Sequence, residues 1–230
     1  MGPLDIVSVN NLGRRMGFAE RLEYPSRSLQ KPLIDWKMEI DDSPIFRYLY
    51  RNFRPRRHLE FGTWRGTGTL YCLEECSATV WTLNIPDGEV AIDGTRAYES
   101  DSGPYIGEFY RQKKLGNRVC QIYCDSRDWD LSNYPAGFFD SALIDGGHHR
   151  DVVASDTAMA LRVLRAGGLC MWHDFCPDPQ VLIRSEASLG VVDGLLQNWT
   201  KIRPAMRDIF WVQPSYILVG IVGDFADSGR

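Results

Sequence analysis

The sequence predicts an α/β fold, namely a Rossmann-like, seven-stranded, mostly parallel sheet with helices on both faces. Two observations lead to this prediction. Short apolar segments typical of buried strands alternate along the chain with segments of helical periodicity, as in parallel sheets. Glycine, carboxylate and histidine residues cluster directly after the apolar segments. Parallel sheets bind their ligands there, at the carboxyl ends of the strands.

The predicted strands are short and rich in β-branched, aromatic and other apolar residues. In chain order they cover residues 58–62, 79–85, 119–124, 139–144, 169–172, 209–212 and 216–222. Apolar residues at helical spacing predict helices near residues 43–54, 69–77, 108–115, 151–164 and 181–199. Residues 86–107 form a long polar loop, and a loop of this length in a compact domain usually has a function.

The N-terminal part of the chain differs from the rest. Residues 1–40 show no regular period, because glycine, asparagine and proline residues interrupt it. Asp42, Ser43 and Pro44 then form a typical helix start, with a capping side chain followed by proline in the first turn. We therefore expect an extension at residues 1–40, acting as a lid or oligomer arm, and a folded domain at residues 41–230. This assignment leaves a homo-oligomer open.

Composition and charge exclude several classes of protein. The chain has 26 basic and 30 acidic residues, and its net charge of -4 gives no electrostatic case for a nucleic-acid partner. No segment resembles a signal peptide or is long and apolar enough to span a bilayer, so we expect no membrane partner. The six cysteines form no Cys-x-x-Cys pair, which argues against a zinc ribbon and favours a reducing, cytoplasmic setting.

The most informative stretch is residues 60–69, Glu-Phe-Gly-Thr-Trp-Arg-Gly-Thr-Gly-Thr. A strand, a glycine turn and a helix start follow one another here, an arrangement that brings backbone N–H groups close to a nucleotide-like ligand. A phosphate-binding P-loop needs a lysine, and none lies near Gly62. The dinucleotide fingerprint needs a third glycine where this chain has Tyr71. A purely structural turn stays open on this stretch alone.

The glycine turn also matches the pattern acidic-x-Gly-x-x-x-Gly-x-Gly, which resembles the first motif of class I S-adenosylmethionine-dependent methyltransferases. Three further blocks follow in the order and spacing of this family, at residues 119–126, 145–157 and 167–175. Together the blocks resemble the branch that modifies sugars and secondary metabolites in bacteria. The resemblance implies S-adenosylmethionine as co-substrate. Its sulfonium and amino groups suit a carboxylate in the turn.

The resemblance also implies where the co-substrate binds. In the family, an acidic residue after the second strand accepts hydrogen bonds from the ribose hydroxyls, and here Asn84 and Asp87 are both candidates. Asp125 and Ser126 offer a carboxylate and a hydroxyl for the adenine amino group, although a simple helix cap would use the same residues. The expected cofactor-binding residues are Glu60, Gly62, Thr63, Gly66, Gly68, Asn84, Asp87, Asp125, Ser126, Asp145 and Gly146.

Methyl transfer to oxygen requires alignment of the two reactants and a base that removes the hydroxyl proton. Histidine titrates near neutral pH, and His148 and His173 both follow predicted strands at the ligand edge. We therefore expect one of them to be the general base, oriented by Asp145 or Asp174. The expected reaction is O-methylation of a small-molecule acceptor with a sugar or natural-product hydroxyl.

Metal-dependent relatives hold Mg²⁺ with an acidic residue after the fourth strand and a pair of acidic or amide residues after the fifth. Asp145 and Asp174 match the first two positions, but Phe175 occupies the third. Two carboxylates with water and substrate oxygens can bind Mg²⁺, which prefers octahedral oxygen ligands. The missing third ligand nevertheless favours a reaction without metal.

Two other functions fit parts of the sequence. An NAD-dependent dehydrogenase or epimerase would use a similar sheet, but the third glycine is missing. The Tyr-x-x-x-Lys pair at Tyr110 and Lys114 lies before the third strand, whereas short-chain dehydrogenases carry theirs beyond the fifth. A non-catalytic S-adenosylmethionine-binding protein would account for Asn84 and Phe175, where the chain departs from the family pattern.

Overall fold

A computed structural model describes residues 4–90, 94 and 105–224 of the chain. Most of the long loop predicted at residues 86–107 lies outside the described residues. The strands are β1 Asp5–Ser8, β2 Arg57–Phe61, β3 Thr79–Asn84, β4 Val119–Tyr123, β5 Phe139–Ile144, β6 Leu164–Trp172, β7 Met206–Gln213 and β8 Ile217–Val222. The helices are α1 Leu12–Met16, α2 Ser26–Leu29, α3 Ser43–Phe53, α4 Thr67–Glu75, α5 Glu108–Gln112, α6 Arg150–Val163, α7 Pro179–Leu182 and α8 Glu186–Ala205.

All the described strands join in one sheet with the order β1-β7-β8-β6-β5-β2-β3-β4. Strand β8 is antiparallel to both of its neighbours, and the other pairings are parallel. The predicted α/β class with a mostly parallel sheet is confirmed. The predicted count of seven strands is one too low, because β1 adds an edge strand that pairs with β7. Four residues are too short a segment for strand alternation to be recognised in the sequence.

Helices cover both faces of the sheet, as predicted, because neighbouring residues of a strand point to opposite faces. In β5, Ala142 and Ile144 belong to a hydrophobic cluster that includes residues of α6 and α8. Leu143, between them, belongs to a second cluster with residues of α3 and α4. Within the described ranges, none of the helices combines the length and the apolar character that crossing a membrane requires.

A buried polar network supports the glycine turn between β2 and α4. Glu60 is fully buried, and its Oε2 accepts hydrogen bonds from the hydroxyls of Thr69 and Thr82, the latter at 2.7 Å. The Thr82 hydroxyl also lies 2.7 Å from that of Thr63. The other oxygen, Oε1, has no partner among the described residues and lies behind Gly68, where a Cβ would come within 2.3 Å of it.

Burial raises the pKa of Glu60 to about 8, although the hydroxyls of Thr69 and Thr82 oppose this shift. The carboxyl group is therefore largely protonated at neutral pH. The expectation from the sequence is a carboxylate in the turn beside a cationic ligand. In the structure the side chain of Glu60 is buried beneath the turn, where it contacts Thr69 and Thr82.

Helices α6 and α8 pack at very short range where α8 passes the start of α6. A Cβ on Gly190 of α8 would lie 1.9 Å from the carbonyl oxygen of His148. One turn further, a Cβ on Gly194 would lie 2.6 Å from the carbonyl oxygen of Arg150. The two glycines therefore let α8 contact the backbone that joins β5 to α6, and they fix the position of that segment.

We expect Gly190→Ala to lower the free energy of unfolding by roughly 1–3 kcal/mol, because the added methyl group would overlap the backbone at His148. Chemical denaturation measures this change. Gly116→Ala is the matched control, since a Cβ at Gly116 would meet no atom within 4 Å. Equal stability of the two variants would contradict the close packing of α8 on this segment.

We expect Glu60→Gln to become more stabilising as the pH rises. The unfolded carboxyl ionises near its ordinary pKa of 4.5, whereas the folded one keeps its proton up to about pH 8. The native state therefore loses stability across this window, and the uncharged amide does not. The difference in free energy of unfolding between variant and wild type should grow by on the order of 2–4 kcal/mol from pH 5 to pH 8. Urea titrations measure it, with the exposed Glu89→Gln as control; a pH-independent difference would contradict the assignment.

Candidate active site

A cavity of about 460 Å³ opens at the carboxyl ends of β2, β3, β4, β5 and β6. The chain runs outwards from β2 to β3 and β4, and then returns to β5 on the other side of β2. The strand order therefore reverses between β2 and β5. Open α/β sheets bind their ligands at such a reversal point.

The turns that follow β2 and β5 touch each other at this point. Gly62 has a φ of +93°, and a Cβ there would lie 2.0 Å from the carbonyl oxygen of Asp145. Only glycine fits both the backbone conformation and the space. The N–H of Asp145 donates to the carbonyl of Phe61 at 2.9 Å. The glycine turn and the acidic turn therefore form one continuous wall of the cavity.

Most of the predicted site residues line this cavity. Its lining includes all four predicted catalytic residues, Asp145, His148, His173 and Asp174. It also includes the predicted cofactor-binding residues Gly62, Thr63, Gly68, Asn84, Asp125, Ser126 and Gly146. The cavity lining does not include Glu60, Gly66 or Asp87. Glu60 is buried beneath the turn, a Cβ on Gly66 would contact the ring of Tyr110, and Asp87 is exposed.

The amide of Asn84 is engaged by the protein itself. Its Oδ1 accepts a hydrogen bond from the backbone N–H of Trp64 at 2.9 Å, and its Nδ2 donates to the carbonyl of Ile85 at 2.8 Å. Trp64 has a φ of +44°, which is uncommon for a residue other than glycine. Asn84 therefore holds the glycine turn in an unusual conformation, with its Oδ1 and one N–H of its Nδ2 bound to the backbone.

The carboxylate of Asp125 is also engaged. Its Oδ1 accepts hydrogen bonds from the backbone N–H of Arg127 at 3.0 Å and from the guanidinium Nε at 2.8 Å, and its Oδ2 contacts Nη2. This ion pair and the hydrogen bonds lower the pKa of Asp125. The structure thus realises the capping alternative that the sequence left open, because Asp125 caps the short turn that follows β4.

Two histidines and three carboxylates form a cluster at the cavity, and all of them except Asp42 are part of its lining. Nε2 of His148 lies 2.7 Å from Oδ2 of Asp174. Nδ1 of His173 lies 2.9 Å from Oδ1 of Asp145, and its Nε2 lies 3.2 Å from Oδ2 of Asp42. Both nitrogens of His173 are thus in use, whereas Nδ1 of His148 makes no hydrogen bond within the described part of the chain.

Exposure and charge also distinguish the two histidines. The side chain of His148 is 42% exposed and that of His173 is 11% exposed. Burial by itself would lower the pKa of each imidazole. The hydrogen bond and charge of Asp174 outweigh burial at His148 and raise its pKa. The pKa of His173 rises well above its ordinary value, since Asp145, Asp174 and Asp42 surround it. Its partners therefore keep His173 protonated, while His148 remains accessible.

Asp42 is the member of this cluster that the sequence analysis missed. The sequence predicts that Asp42 caps α3, but its side chain makes no capping hydrogen bond. It is fully buried, and its Oδ1 accepts hydrogen bonds from Nε1 of Trp36 at 2.9 Å and from the backbone N–H of Tyr216 at 3.3 Å. No local pattern distinguishes a capping aspartate from one that contacts a histidine 131 positions later in the sequence.

The same cluster contains a set of atoms that could hold a cation. One ligand atom each from Asp145, His148 and Asp174 lie within 4.8 Å of one another. Two of these residues are the predicted metal ligands, and His148 adds a nitrogen. Asp174 has a φ of +56°, so the backbone is held in a left-handed conformation at this position.

Comparison with known proteins agrees with the fold. An O-methyltransferase from Bacillus cereus, solved in complex with S-adenosylhomocysteine (SAH), has 17% identity and a TM-score of 0.57, with 86% of each chain covered. An SAH-bound methyltransferase from Podospora anserina has 15% identity and a TM-score of 0.56, covering 87% of this chain and 82% of that one. A Klebsiella pneumoniae protein described as an O-methyltransferase has 18% identity and a TM-score of 0.57, covering 94% and 88%.

No curated protein matches the chain in sequence. A family model described as "Methyltransferase domain" matches residues 59–175, just over half of the chain. These residues run from β2 to the end of β6 and contain the glycine turn, Asp145, His148 and Asp174. The chain therefore belongs to the methyltransferase domain family.

Proposed function

We propose that the protein transfers the methyl group of S-adenosylmethionine to a hydroxyl group of a small molecule, with His148 as general base. The observation that carries this proposal is the pairing of His148 with Asp174 at 2.7 Å in the cavity wall, with the second imidazole nitrogen free of hydrogen bonds to the described residues. The structural neighbours named above, two of them holding SAH, support the choice of co-substrate.

The cavity has a chemistry that fits a cationic co-substrate. Gly62, Gly68 and Gly146 line it without side chains, which leaves room for a ligand close to the backbone. Among the described lining residues, Arg127 is the one with a permanently charged basic group, and Asp125 neutralises it. The alternative of an NAD-dependent dehydrogenase is disfavoured because Tyr71 stands where the dinucleotide fingerprint needs its third glycine.

S-adenosylmethionine supplies an activated methyl group, so the protein has to align the acceptor and remove its proton. The carboxylate of Asp174 holds the Nε2–H tautomer of His148, which leaves the lone pair on Nδ1 to accept the hydroxyl proton. The resulting imidazolium is stabilised by Asp174. His173 cannot take this role, because Asp145 and Asp42 occupy both of its nitrogens. We assign His173 the role of positioning the side chain of Asp145.

A second candidate mechanism rests on the three ligand atoms of Asp145, His148 and Asp174. A divalent cation bound there would bind and polarise the acceptor hydroxyl, and His148 would then be a ligand rather than a base. Mg²⁺ prefers oxygen, and the set includes one nitrogen and lacks a third carboxylate or amide. We therefore favour the base mechanism.

We expect His148→Ala to lower kcat by roughly 10²- to 10⁴-fold, because the acceptor loses its base. Affinity for SAH, measured by calorimetry, should change little. Transfer of radiolabelled methyl to a panel of phenolic and sugar hydroxyls measures kcat. His149→Ala is the matched control: His149 is the neighbouring histidine, its side chain is exposed and it does not line the cavity.

The same assay separates the two mechanisms. Turnover that survives dialysis against a chelator supports the base mechanism. Turnover that is lost with the chelator and returns with Mg²⁺ supports the metal site. Full activity of His148→Ala without metal would refute His148 both as general base and as metal ligand. Binding of SAH by the wild type without transfer to any acceptor would favour a non-catalytic binding protein.

We expect Asp174→Asn to move the acid limb of the pH profile of kcat towards lower pH. Asp174 raises the pKa of His148. In the wild type, kcat should therefore begin to fall, as the pH is lowered, at a pH above the ordinary pKa of histidine. The neutral amide removes the charge that favours imidazolium, and the base then stays deprotonated at lower pH. Asparagine tolerates the left-handed backbone at this position. The plateau of kcat should fall roughly 10-fold or more. An unmoved limb would exclude His148 as the titrating group.

A further inference from the structure

Two of the free cysteines lie close together at the end of α4. Cys72 belongs to the last turn of the helix and is buried, whereas Cys76 directly follows the helix and is half-buried. Their Sγ atoms are 3.8 Å apart, and the thiol of Cys76 donates to the carbonyl oxygen of Cys72 at 3.2 Å. Neither residue lines the cavity at the strand ends. The pair is therefore a second cluster of reactive groups, apart from the candidate active site.

The end of the helix determines how closely the two thiols can approach. In a regular helix, residues four positions apart have Cβ atoms about 5–6 Å from each other, whereas a disulfide needs about 3.5–4.5 Å. Cys76 has a φ of -149° and a ψ of 173°, so it has left the helical conformation, and the next residue, Ser77, is exposed. Because the chain leaves the helix at Cys76, this residue can move towards Cys72 while the earlier turns of α4 stay in place. The Sγ atoms would then close from 3.8 Å to the S–S bond length of about 2 Å.

The surroundings of Cys76 favour its thiolate form, which is the nucleophilic one. The carbonyl groups at a helix end disfavour an anion, but here the guanidinium of Arg118 binds the carbonyl oxygens of Leu73 and Cys76, the latter at 2.8 Å. The pKa of Cys76 falls to about 7, because the thiol of Cys72 and the backbone N–H of Ala78 donate to the ionised sulfur and Arg118 attracts its charge, although burial opposes the shift. Burial raises the pKa of Cys72 well above its ordinary value. Cys76 is therefore the attacking thiol of the pair.

We propose that Cys76 and Cys72 form a reversible disulfide when the protein meets a hydroperoxide. The Cys76 thiolate attacks one oxygen of hydrogen peroxide, the O–O bond breaks, and the leaving hydroxide takes up a proton to give water. Cys76 is then a sulfenic acid. The sulfur of Cys72 attacks that of Cys76, an S–S bond forms as the S–O bond breaks, and the hydroxide leaves as water with the proton of Cys72. The two thiols lose two electrons and two protons, which reduce one peroxide to two water molecules.

The geometry also predicts that this disulfide is easily reduced. A disulfide between positions four apart draws in the last turn of the helix, and strained disulfides are more readily opened by thiols than relaxed ones. We therefore expect glutathione to restore both cysteines. We also expect Cys72 to protect Cys76, because disulfide formation consumes the sulfenic acid before a second peroxide can convert it to the sulfinic acid, which thiols do not reduce. This inference does not depend on the proposed methyl transfer.

The test exposes the full chain to hydrogen peroxide at neutral pH, blocks the remaining thiols with iodoacetamide after denaturation, and identifies the products by mass spectrometry. Trypsin releases residues 66–96 as one peptide, which contains Cys72 and Cys76 and no other cysteine. In the wild type this peptide should lose both alkylation sites and two hydrogen atoms, and treatment with glutathione before blocking should restore both sites. Oxidation of Cys76 should be roughly 10-fold faster or more than that of the exposed Cys120, whose pKa is raised by burial.

Two variants separate the roles of the two thiols. In Cys72→Ser, Cys76 should accumulate as a sulfenic acid that dimedone traps, and should then proceed to the sulfinic acid. In Cys76→Ser, Cys72 should remain reduced, and this variant serves if Cys72→Ser does not fold. Cys120→Ser is the matched control and should form the disulfide as the wild type does. A wild type that keeps both thiols, or that gains oxygen at Cys76 without forming the disulfide, would overturn the inference. Oxidation of Cys72 at the wild-type rate in Cys76→Ser would overturn the assignment of the attacking thiol.

Discussion

The site depends on the contact between the turns that follow β2 and β5. A Cβ on Gly62 would stand 2.0 Å from the carbonyl oxygen of Asp145, so the two turns approach as closely as backbone atoms allow. The strand order reverses between these strands, and their turns diverge from the sheet at a common point. The crevice, the glycine wall and the position of Asp145 all follow from this one contact. Residues further along the β5 turn, including His148, are then held from the other side by Gly190 of α8.

The side chains around this crevice fall into two groups according to whether the protein already satisfies them. Asn84, Asp125 and His173 have their hydrogen-bonding atoms occupied by neighbouring residues, and they act as supports. Nδ1 of His148 and Oδ1 of Asp156 lack partners within the described residues. A buried or half-buried polar atom without a partner costs free energy, so an unpaired atom of a lining residue indicates where a ligand is expected to contribute. Oε1 of Glu60 is also unpaired, but Glu60 lies outside the cavity lining.

The sequence was sufficient for the parts of the fold and site that depend on residue type and order. Alternating strands and helices predicted the sheet, and Gly62, Asp145, His148 and Asp174 were predicted at the cavity because each lies within four residues of the end of a parallel strand. The edge strand β1 was missed because four half-exposed residues carry too little periodicity. Asp42 was missed because its partner, His173, is distant in sequence, while the nearby Ser43 and Pro44 gave a complete local explanation as a helix start.

Glu60, Asn84 and Asp125, three predicted cofactor contacts, already make hydrogen bonds within the protein. Each has the right residue type at the right strand end, yet sequence position does not reveal which hydrogen bonds a side chain already makes. The groups that occupy them are Thr82 for Glu60, the backbone of Trp64 for Asn84 and Arg127 for Asp125. In each case the partner lies close to the cavity but belongs to the support of the turn. A family pattern therefore locates the crevice. The hydrogen bonds that form within this chain then determine which polar atoms of the crevice remain free to bind a ligand.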